Sequence, residues 1–115
     1  MSQTASANVA VHLPDMARRQ PETPAIFIPA GRDGRQQPRY DQYSFAELDR
    51  QSSRMALALE SIGICRGVRT VLMVPPGFEF FALTFALFKI GAVPVLVDPG
   101  MGVKNLKTCL AEAQP

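Results

Sequence analysis

An apolar segment over residues 70–97 constrains the fold of this chain more than any other feature. It contains two continuous apolar runs of strand length, at 70–74 and 92–97. Between them, residues 78–90 are apolar almost all round and end at Gly91. Runs that do not alternate with polar residues are typical of strands buried on both faces of a parallel sheet. The pattern therefore predicts strand, helix and strand, joined by a parallel crossover.

The same segment has to be weighed as a membrane helix, because Lys89 is the only charge from Phe80 to Val97. Gly91 and Pro94 interrupt this stretch, and the residues on the two sides of Gly91 favour different structures. We therefore predict no transmembrane segment. The first twelve residues lack the charged and apolar regions of a secretory signal, so we expect a cytoplasmic protein.

The first forty residues predict a helix and a hairpin. Apolar spacing over 8–20 favours a short amphipathic helix whose regular part begins at His12, because a proline follows two residues later. A strand over 25–28 and a return strand near 39–43 are expected to pair. Residues 31–34, which begin and end with glycine, suit the loop between them.

The clearest single helix is expected from about residue 45 to 62. Ser44 and Glu47 form a capping box, apolar residues recur at steps of three and four, and Gly63 supplies the stop. A last helix is expected over 103–113. The outer face of the helix at 45–62 is expected to carry Glu47, Asp49, Arg50, Arg54 and Glu60.

These elements predict an α/β fold, with βαβ units and a parallel sheet plus an early hairpin over residues 8–115, after a flexible stretch at 1–7. A helix that is apolar on every side and two doubly buried strands need more covering layers than 115 residues supply. We therefore expect the N-terminal part of a larger α/β domain, interrupted at residue 115.

Composition and charge exclude several classes of function. Hydrophobic residues make up 47% of the chain, which argues against intrinsic disorder. Twelve basic and ten acidic residues leave a net charge of +2 without a basic stripe, so nucleic-acid binding is disfavoured. Cys65 and Cys109 form no CxxC pair, and His12 is the only imidazole, so neither a zinc site nor a redox pair is indicated.

One loop is a candidate for phosphate binding. Gly100 and Gly102 lie between a strand and a helix, where main-chain amides can receive a phosphate. The third glycine of a dinucleotide fingerprint would fall at Asn105, and Lys104 stands outside a P-loop pattern, so a plain tight connection is favoured. Asp98 ends a strand where α/β sheets place ligand groups. Its favoured role is that of a turn residue that satisfies loop amides.

Three further features have a structural and a functional interpretation. His12 has no nucleophile spaced near it and is interpreted as a half-exposed structural side chain. Cys65 precedes a cation, Arg66, but no histidine or helix N-terminus would make it a nucleophile. A cluster of phenylalanines could line an acyl or aromatic ligand pocket, although core packing is favoured at helical spacing. The members of this cluster are Phe78, Phe80, Phe81, Phe85 and Phe88.

Three motifs then form an ordered series. They are Gln-Pro-Glu-Thr-Pro-Ala-Ile at 20–26, Tyr-Ser-Phe-Ala-Glu-Leu at 43–48 and Phe-Lys-Ile-Gly-Ala-Val-Pro-Val-Leu-Val-Asp-Pro at 88–99. The series resembles the early Pro-x-x-Pro-Ala segment and the first two core motifs of adenylate-forming enzymes. That family includes acyl-CoA synthetases, peptide-synthetase adenylation domains and luciferases, and the likeness spans about residues 8–113.

Some positions indicate which branch of this family the chain resembles most. Pro94 stands where the family often has an aromatic residue and Leu96 where proline is usual, which argues against a typical peptide-synthetase domain. Residues 100–106, Gly-Met-Gly-Val-Lys-Asn-Leu, resemble most the β-lactone synthetases of bacterial olefin biosynthesis. That branch of the family adenylates a β-hydroxy acid and closes it to a β-lactone.

The resemblance implies an ATP-dependent ligase that uses ATP and Mg²⁺ on a small acyl substrate, with the rest of its own large domain and a C-terminal domain as partners. In this family the phosphate loop, the ribose-binding aspartate and the catalytic lysine belong to later sequence. We therefore assign no catalytic, cofactor-binding or metal-binding residue here and expect the 115 residues alone to be inactive. The alternatives are part of a long-chain fatty acyl-CoA or acyl-AMP ligase, or a non-catalytic scaffold module.

Overall fold

A computed structural model describes residues 7–115. The expected α/β class is confirmed, and each expected helix and strand is present. The flexible stretch expected at 1–7 falls, except for Ala7, outside the described residues. Along the chain the elements are a 3-10 turn at Val9–Val11, α1 (His12–Arg19), β1 (Pro24–Arg32), β2 (Pro38–Ser44), α2 (Phe45–Ser61), β3 (Arg69–Leu72), α3 (Phe78–Lys89), β4 (Val93–Leu96), a second 3-10 turn at Pro99–Met101 and α4 (Val103–Ala113).

The early hairpin is confirmed, with β1 and β2 antiparallel, but the expected position of its turn is wrong. The turn lies at 33–37 rather than 31–34. An aspartate organises it, because the Asp33 carboxylate accepts hydrogen bonds from the main-chain N–H groups of Arg35 at 2.8 Å and Gln37 at 3.0 Å. A side chain that hydrogen-bonds nearby amides selects the turn more strongly than the glycine spacing does.

The two glycines of the expected loop have different roles. Gly31 has a φ of +82° and lies at a register shift of the hairpin, so it belongs to a bulge at the end of β1. Gly34 has no positive φ, and the left-handed residue of the turn is Gln36, with a φ of +61°. Only the first glycine is therefore used for its conformational freedom.

The predicted parallel crossover is confirmed. β3 and β4 pair in parallel, from Arg69 with Val93 to Leu72 with Leu96, and α3 connects them. The expectation that both strands are buried on two faces is wrong for these residues. Val93 is 45% exposed and Leu96 is 59% exposed. In the part of the chain that the structure describes, the parallel sheet has two strands, so β4 lacks the neighbours that burial on both faces requires.

The core lies where α1, β1, α2 and α3 meet. Its buried cluster consists of Leu13, Ile26, Leu48 and Ala82. Helices α2 and α3 pack closely, and most of their buried residues are small. These are Ser52 and Ala56 on α2 and Ala82 and Ala86 on α3, beside the larger Leu48 and Leu87. Ser52 is 0% exposed, and its hydroxyl donates to the carbonyl oxygen of Asp49 at 3.0 Å.

Both central helices end at the glycines that the sequence indicates. Gly91 follows α3 with a φ of +74° and donates to the Phe88 carbonyl at 3.1 Å, while Ala92 donates to the Leu87 carbonyl at 3.0 Å. Gly63 ends α2 in the same way, with a φ of +95°. These are Schellman caps, in which a left-handed residue allows two last carbonyls to be satisfied.

Substitution of these glycines tests how much of their role comes from the backbone conformation and how much from a neighbouring side chain. A Cβ atom at Gly91 would lie 3.2 Å from Cγ of Arg66, whereas one at Gly63 would meet nothing within 4 Å. We expect Gly63→Val to lower the free energy of unfolding by about 1–2 kcal/mol through backbone strain. Gly91→Val should lower it further because Arg66 must also move. Urea unfolding followed by far-UV circular dichroism measures both.

Gly34→Val is the matched control, since Gly34 has neither a positive φ nor a neighbour within 4 Å of its Cβ position. Its effect on the unfolding midpoint should be small. Equal destabilisation by all three variants would contradict the role assigned to the two caps.

Candidate functional site

A partly buried cluster of polar groups joins the end of α3 to α2. The ammonium group of Lys89 donates to Oδ1 of Asp49 at 2.6 Å, to the main-chain oxygen of Asp49 at 3.0 Å and to Oγ of Ser53 at 2.8 Å. The side chains of Lys89 and Asp49 are 14% and 27% exposed. All three ammonium donors therefore have a partner in a partly buried setting.

This cluster shows that one expectation was wrong, and it contains an ion pair that the sequence did not indicate. Asp49 was expected on the outer face of α2, but its carboxylate faces α3 and pairs with Lys89. One feature of the sequence could have indicated this ion pair. Lys89 is a single cation at the end of an apolar helix, and such a cation needs a partner when it is buried. The identity of the partner depends on how the two helices pack, and spacing along α2 does not show it.

The phenylalanine cluster of α3 contributes mainly to packing, as expected. Phe78 stacks on Tyr43 of β2 with ring centroids 4.1 Å apart, and it packs against the core together with Phe81 and Phe85. Phe80 meets Phe81 edge to face at 5.5 Å. The aromatic rings of α3 therefore connect the hairpin to the helical core.

An apolar groove with a volume of about 430 Å³ opens between α1, β1, α2 and α3. Among the described residues that line it, His12 is the one polar side chain, and it is exposed at the rim. The lining offers apolar contact but no cation to hold a carboxylate and no nucleophile. The lining residues are Val9, His12, Leu13, Met16, Ala25, Ile26, Phe45, Leu48, Phe81 and Phe85.

The loop that follows β4 is organised by Asp98. Its Oδ1 accepts a hydrogen bond from the main-chain N–H of Gly100 at 2.8 Å, and its carbonyl oxygen accepts one from Met101 at 3.2 Å. Gly102 follows with a φ of +86° and precedes α4. The carboxylate thus engages the Gly100 amide and places negative charge beside the loop that was weighed as a phosphate site. This is the turn-forming role that the sequence favoured for Asp98.

The remaining candidates lie apart from one another. Cys65 is an exposed free thiol and Cys109 is a half-buried one on α4. Within residues 7–115, no group of three histidine, cysteine or acidic side chains is arranged to hold a metal ion. None of the described helices is long and apolar enough to cross a membrane. The polar side chains described above make their contacts within this segment.

Sequence comparison places these motifs among known proteins. The sequence profile of the AMP-binding enzyme family matches residues 13–115. The chain is 53% identical over 113 residues to an olefin beta-lactone synthetase of Xanthomonas campestris pv. campestris, covering 97% of this chain and 20% of that protein. It is also 53% identical over 110 residues to an olefin beta-lactone synthetase of Stenotrophomonas maltophilia, covering 94% of this chain and 20% of that protein.

Structural comparison supports the fold. The N-terminal subdomain of NpsA from Klebsiella oxytoca superposes with a TM-score of 0.80 and 21% sequence identity, covering 93% of this chain and 25% of that one. At this identity the likeness concerns the fold alone. The chain spans about a fifth of the length of the curated relatives described above, at 20% of each.

The Lys89 cluster generates a stability prediction. Lys89→Met leaves the half-buried Asp49 carboxylate without its counter-charge, and we expect a loss of about 1–3 kcal/mol in the free energy of unfolding. Arg54→Met is the matched control, because Arg54 is an exposed cation on α2, the helix that carries Asp49, and its loss should change the free energy of unfolding by less than about 0.5 kcal/mol. Urea unfolding measures both variants.

A double-mutant cycle with Asp49→Ala isolates the interaction itself. We expect a coupling energy of about 1 kcal/mol between Lys89 and Asp49. Strictly additive losses would show that the two side chains contribute independently and that the contact does not connect α3 to α2 energetically.

Proposed function

Because the chain belongs to the family of AMP-binding enzymes, we propose that the complete protein is an adenylate-forming ligase that converts a long-chain β-hydroxy acid into a β-lactone. Residues 8–115 form the N-terminal part of its large domain in this proposal. The observation that carries the substrate class is the 53% identity to two olefin beta-lactone synthetases over 97% and 94% of the chain.

The loop after β4 is a poor fit to a phosphate site. The glycine loop after β4 has its Gly100 amide engaged by the Asp98 carboxylate, which would repel a phosphate at that position. No group of metal ligands lies within residues 7–115. We therefore propose that both ATP and Mg²⁺ bind to later parts of the complete protein, and that no catalytic residue lies in this segment.

The proposed reaction has two stages. A substrate carboxylate oxygen first displaces pyrophosphate from ATP and forms an acyl-adenylate. The substrate's own β-hydroxyl oxygen then attacks the activated carbonyl carbon, AMP leaves, the hydroxyl proton is released, and a β-lactone forms. An internal nucleophile held beside the carbonyl needs no second acceptor molecule, so coenzyme A takes no part.

The contribution of this segment to that reaction is structural. Lys89 links helix α3 to α2 through its ion pair with Asp49, and β3 pairs with β4 in parallel. In this proposal these elements form the framework on which later parts of the protein build the site. Its partners in this proposal are the remainder of the large domain, the C-terminal domain and the small acyl substrate. A cytoplasmic location remains a prediction from the sequence.

The second candidate is a long-chain fatty acyl-CoA or acyl-AMP ligase, favoured by the breadth of the family match rather than by particular residues. It differs in the acceptor, because an external thiol would take the acyl group in the acyl-CoA case. A non-catalytic scaffold module is the third candidate, consistent with the packing role of the described residues.

The complete protein tests the proposed reaction. We expect a long-chain β-hydroxy acid, ATP and Mg²⁺ to give a β-lactone and AMP without coenzyme A, detected by mass spectrometry. The matched substrate control is the fatty acid of equal length without the hydroxyl group, which should give no lactone. A thioester formed only after coenzyme A is added would refute the β-lactone assignment and leave the adenylate-forming one in place.

The 115-residue chain alone should release no pyrophosphate from ATP with any of these acids, because the groups that bind nucleotide lie elsewhere in this proposal. A pyrophosphate assay against a blank without protein measures this. Acid-dependent release above the blank would show that the described residues contain a nucleotide site that the Asp98 loop geometry does not reveal.

A further inference from the structure

The hairpin of β1 and β2 joins the rest of the described segment at its base. The hairpin residues that belong to the core cluster or pack against it are Ala25, Ile26, Ile28 and Tyr43, all near the start of β1 or the end of β2. From Gly31 to Tyr40, every residue except the half-buried Asp33 is exposed. The distal half of the hairpin therefore projects beyond the core of this segment.

One face of the hairpin carries two exposed aromatic rings and no charge. The register places Phe27 opposite Gln42 and Pro29 opposite Tyr40, and side chains of directly opposite residues share a face. Ile26, which alternates with Phe27, faces the core instead. Phe27 is 55% exposed and Tyr40 is 57% exposed, and such diagonal neighbours lie roughly 7–8 Å apart in an antiparallel pair. Apolar side chains grouped at a surface are typical of an interaction site.

Positive charge is concentrated at the tip, beside this aromatic face. Arg32, Arg35 and Arg39 are exposed, and Asp33 is the one acidic residue of 31–40, so three cations and one anion give this stretch a net charge of +2. The Asp33 carboxylate accepts from two main-chain amides of the turn, and Arg32 donates to a main-chain oxygen of the turn at 2.7 Å. Asp41 follows Tyr40 and therefore lies on the opposite face. Within residues 7–115, none of the three arginines forms an ion pair.

This arrangement fits the surface of an anionic membrane. There a layer of lipid phosphates lies directly beside apolar acyl chains, so a protein that docks on it needs cations next to an uncharged apolar face. Tyrosine rings favour this interfacial layer, and arginine binds phosphate through parallel hydrogen bonds. The contact surface must also project, because a flat bilayer cannot reach into a concave site. The hairpin meets all three requirements.

A strand from another protein fits the hairpin less well. Addition of a strand requires a regular row of N–H and C=O groups along a sheet edge. Pro29 of β1 and Pro38 of β2 have no N–H, and a register shift between Pro29 and Arg32 makes the hairpin irregular near its tip. The aromatic face and the cationic tip therefore favour a partner that contacts the hairpin through its side chains.

We propose that the hairpin docks the complete protein on an anionic lipid surface. Phe27 and Tyr40 enter the headgroup region, and Arg32, Arg35 and Arg39 contact lipid phosphates around them. The docking is peripheral and reversible, because two rings and three cations are a small anchor. The inference goes beyond the proposed reaction and does not rest on it, since only residues of the hairpin carry it.

Co-sedimentation of the complete protein with vesicles tests the proposal. Vesicles of phosphatidylglycerol and phosphatidylcholine in equal parts are compared with vesicles of phosphatidylcholine alone. We expect binding to the anionic vesicles only, and we expect it to weaken as salt is raised, because ions screen the surface charge. The assay contains neither ATP nor acyl substrate, so its outcome is independent of β-lactone formation.

Substitution of the arginines measures the contribution of charge. Each cation near an anionic surface increases binding about fivefold, so Arg32→Gln, Arg35→Gln and Arg39→Gln together should lower the partition coefficient by about 100-fold. The matched control removes the same charge from exposed arginines outside the hairpin and should change the coefficient by less than about threefold. The control substitutions are Arg50→Gln, Arg54→Gln and Arg66→Gln.

The aromatic face is tested separately. Phe27→Gln combined with Tyr40→Gln should lower the partition coefficient at least about tenfold, since both rings lose their apolar burial in the bilayer. Leu57→Gln is the control, because Leu57 is an apolar residue of α2 that is 71% exposed. Far-UV circular dichroism checks that each variant is folded.

Three results would overturn the proposal. One is equal binding to the two kinds of vesicle, or no binding to either. Another is a loss of binding that the hairpin and control substitutions cause to the same extent. The third is a dimer, observed by sedimentation velocity, that Phe27→Gln and Tyr40→Gln dissociate while vesicle binding is absent, which would assign the aromatic face to a second copy of this chain.

Discussion

The covering of helix α3 is the constraint on which the rest of the structure depends. Its twelve residues are apolar on nearly every side, so water has to be excluded around most of its circumference. Helix α2 approaches one side through Ser52 and Ala56, and the hairpin reaches another through the stack of Tyr43 on Phe78. The single cation of α3, Lys89, is satisfied within the same contact, because Asp49 and Ser53 of α2 accept from it. Packing and polar satisfaction therefore favour the same arrangement of the two helices.

Several polar side chains of the described segment stabilise local turns and caps. Its polar side chains are engaged in organising the chain: Asp33 forms the hairpin turn, Ser44 caps α2, and Asp98 holds the Gly100 amide. The chain belongs to the AMP-binding family and spans about a fifth of the length of the olefin beta-lactone synthetases that it resembles.

The two strands of the parallel sheet differ in what their outer edges can hydrogen-bond. Pro94 removes a donor from one edge, while Arg69 and Val71 leave the other edge able to pair. The contact of Ala113 with Arg69 brings the end of α4 to the first residue of β3. Among the residues that the structure describes, Val93 and Leu96 of β4 are exposed apolar residues.

Local signals in the sequence determined the elements and their ends. The capping residue Ser44 and the stop at Gly63 predicted a helix over 45–62, and α2 spans Phe45–Ser61. Gly91 ends α3 as predicted, because both helix caps depend on interactions within a few residues. Only the tertiary structure decided that Asp49 pairs with Lys89, forty positions away, rather than facing solvent. It also decided how far β4 is buried, since burial depends on which strands and helices lie beside it. Interactions between distant residues are chosen by packing geometry, and the spacing of residues along one element does not encode them.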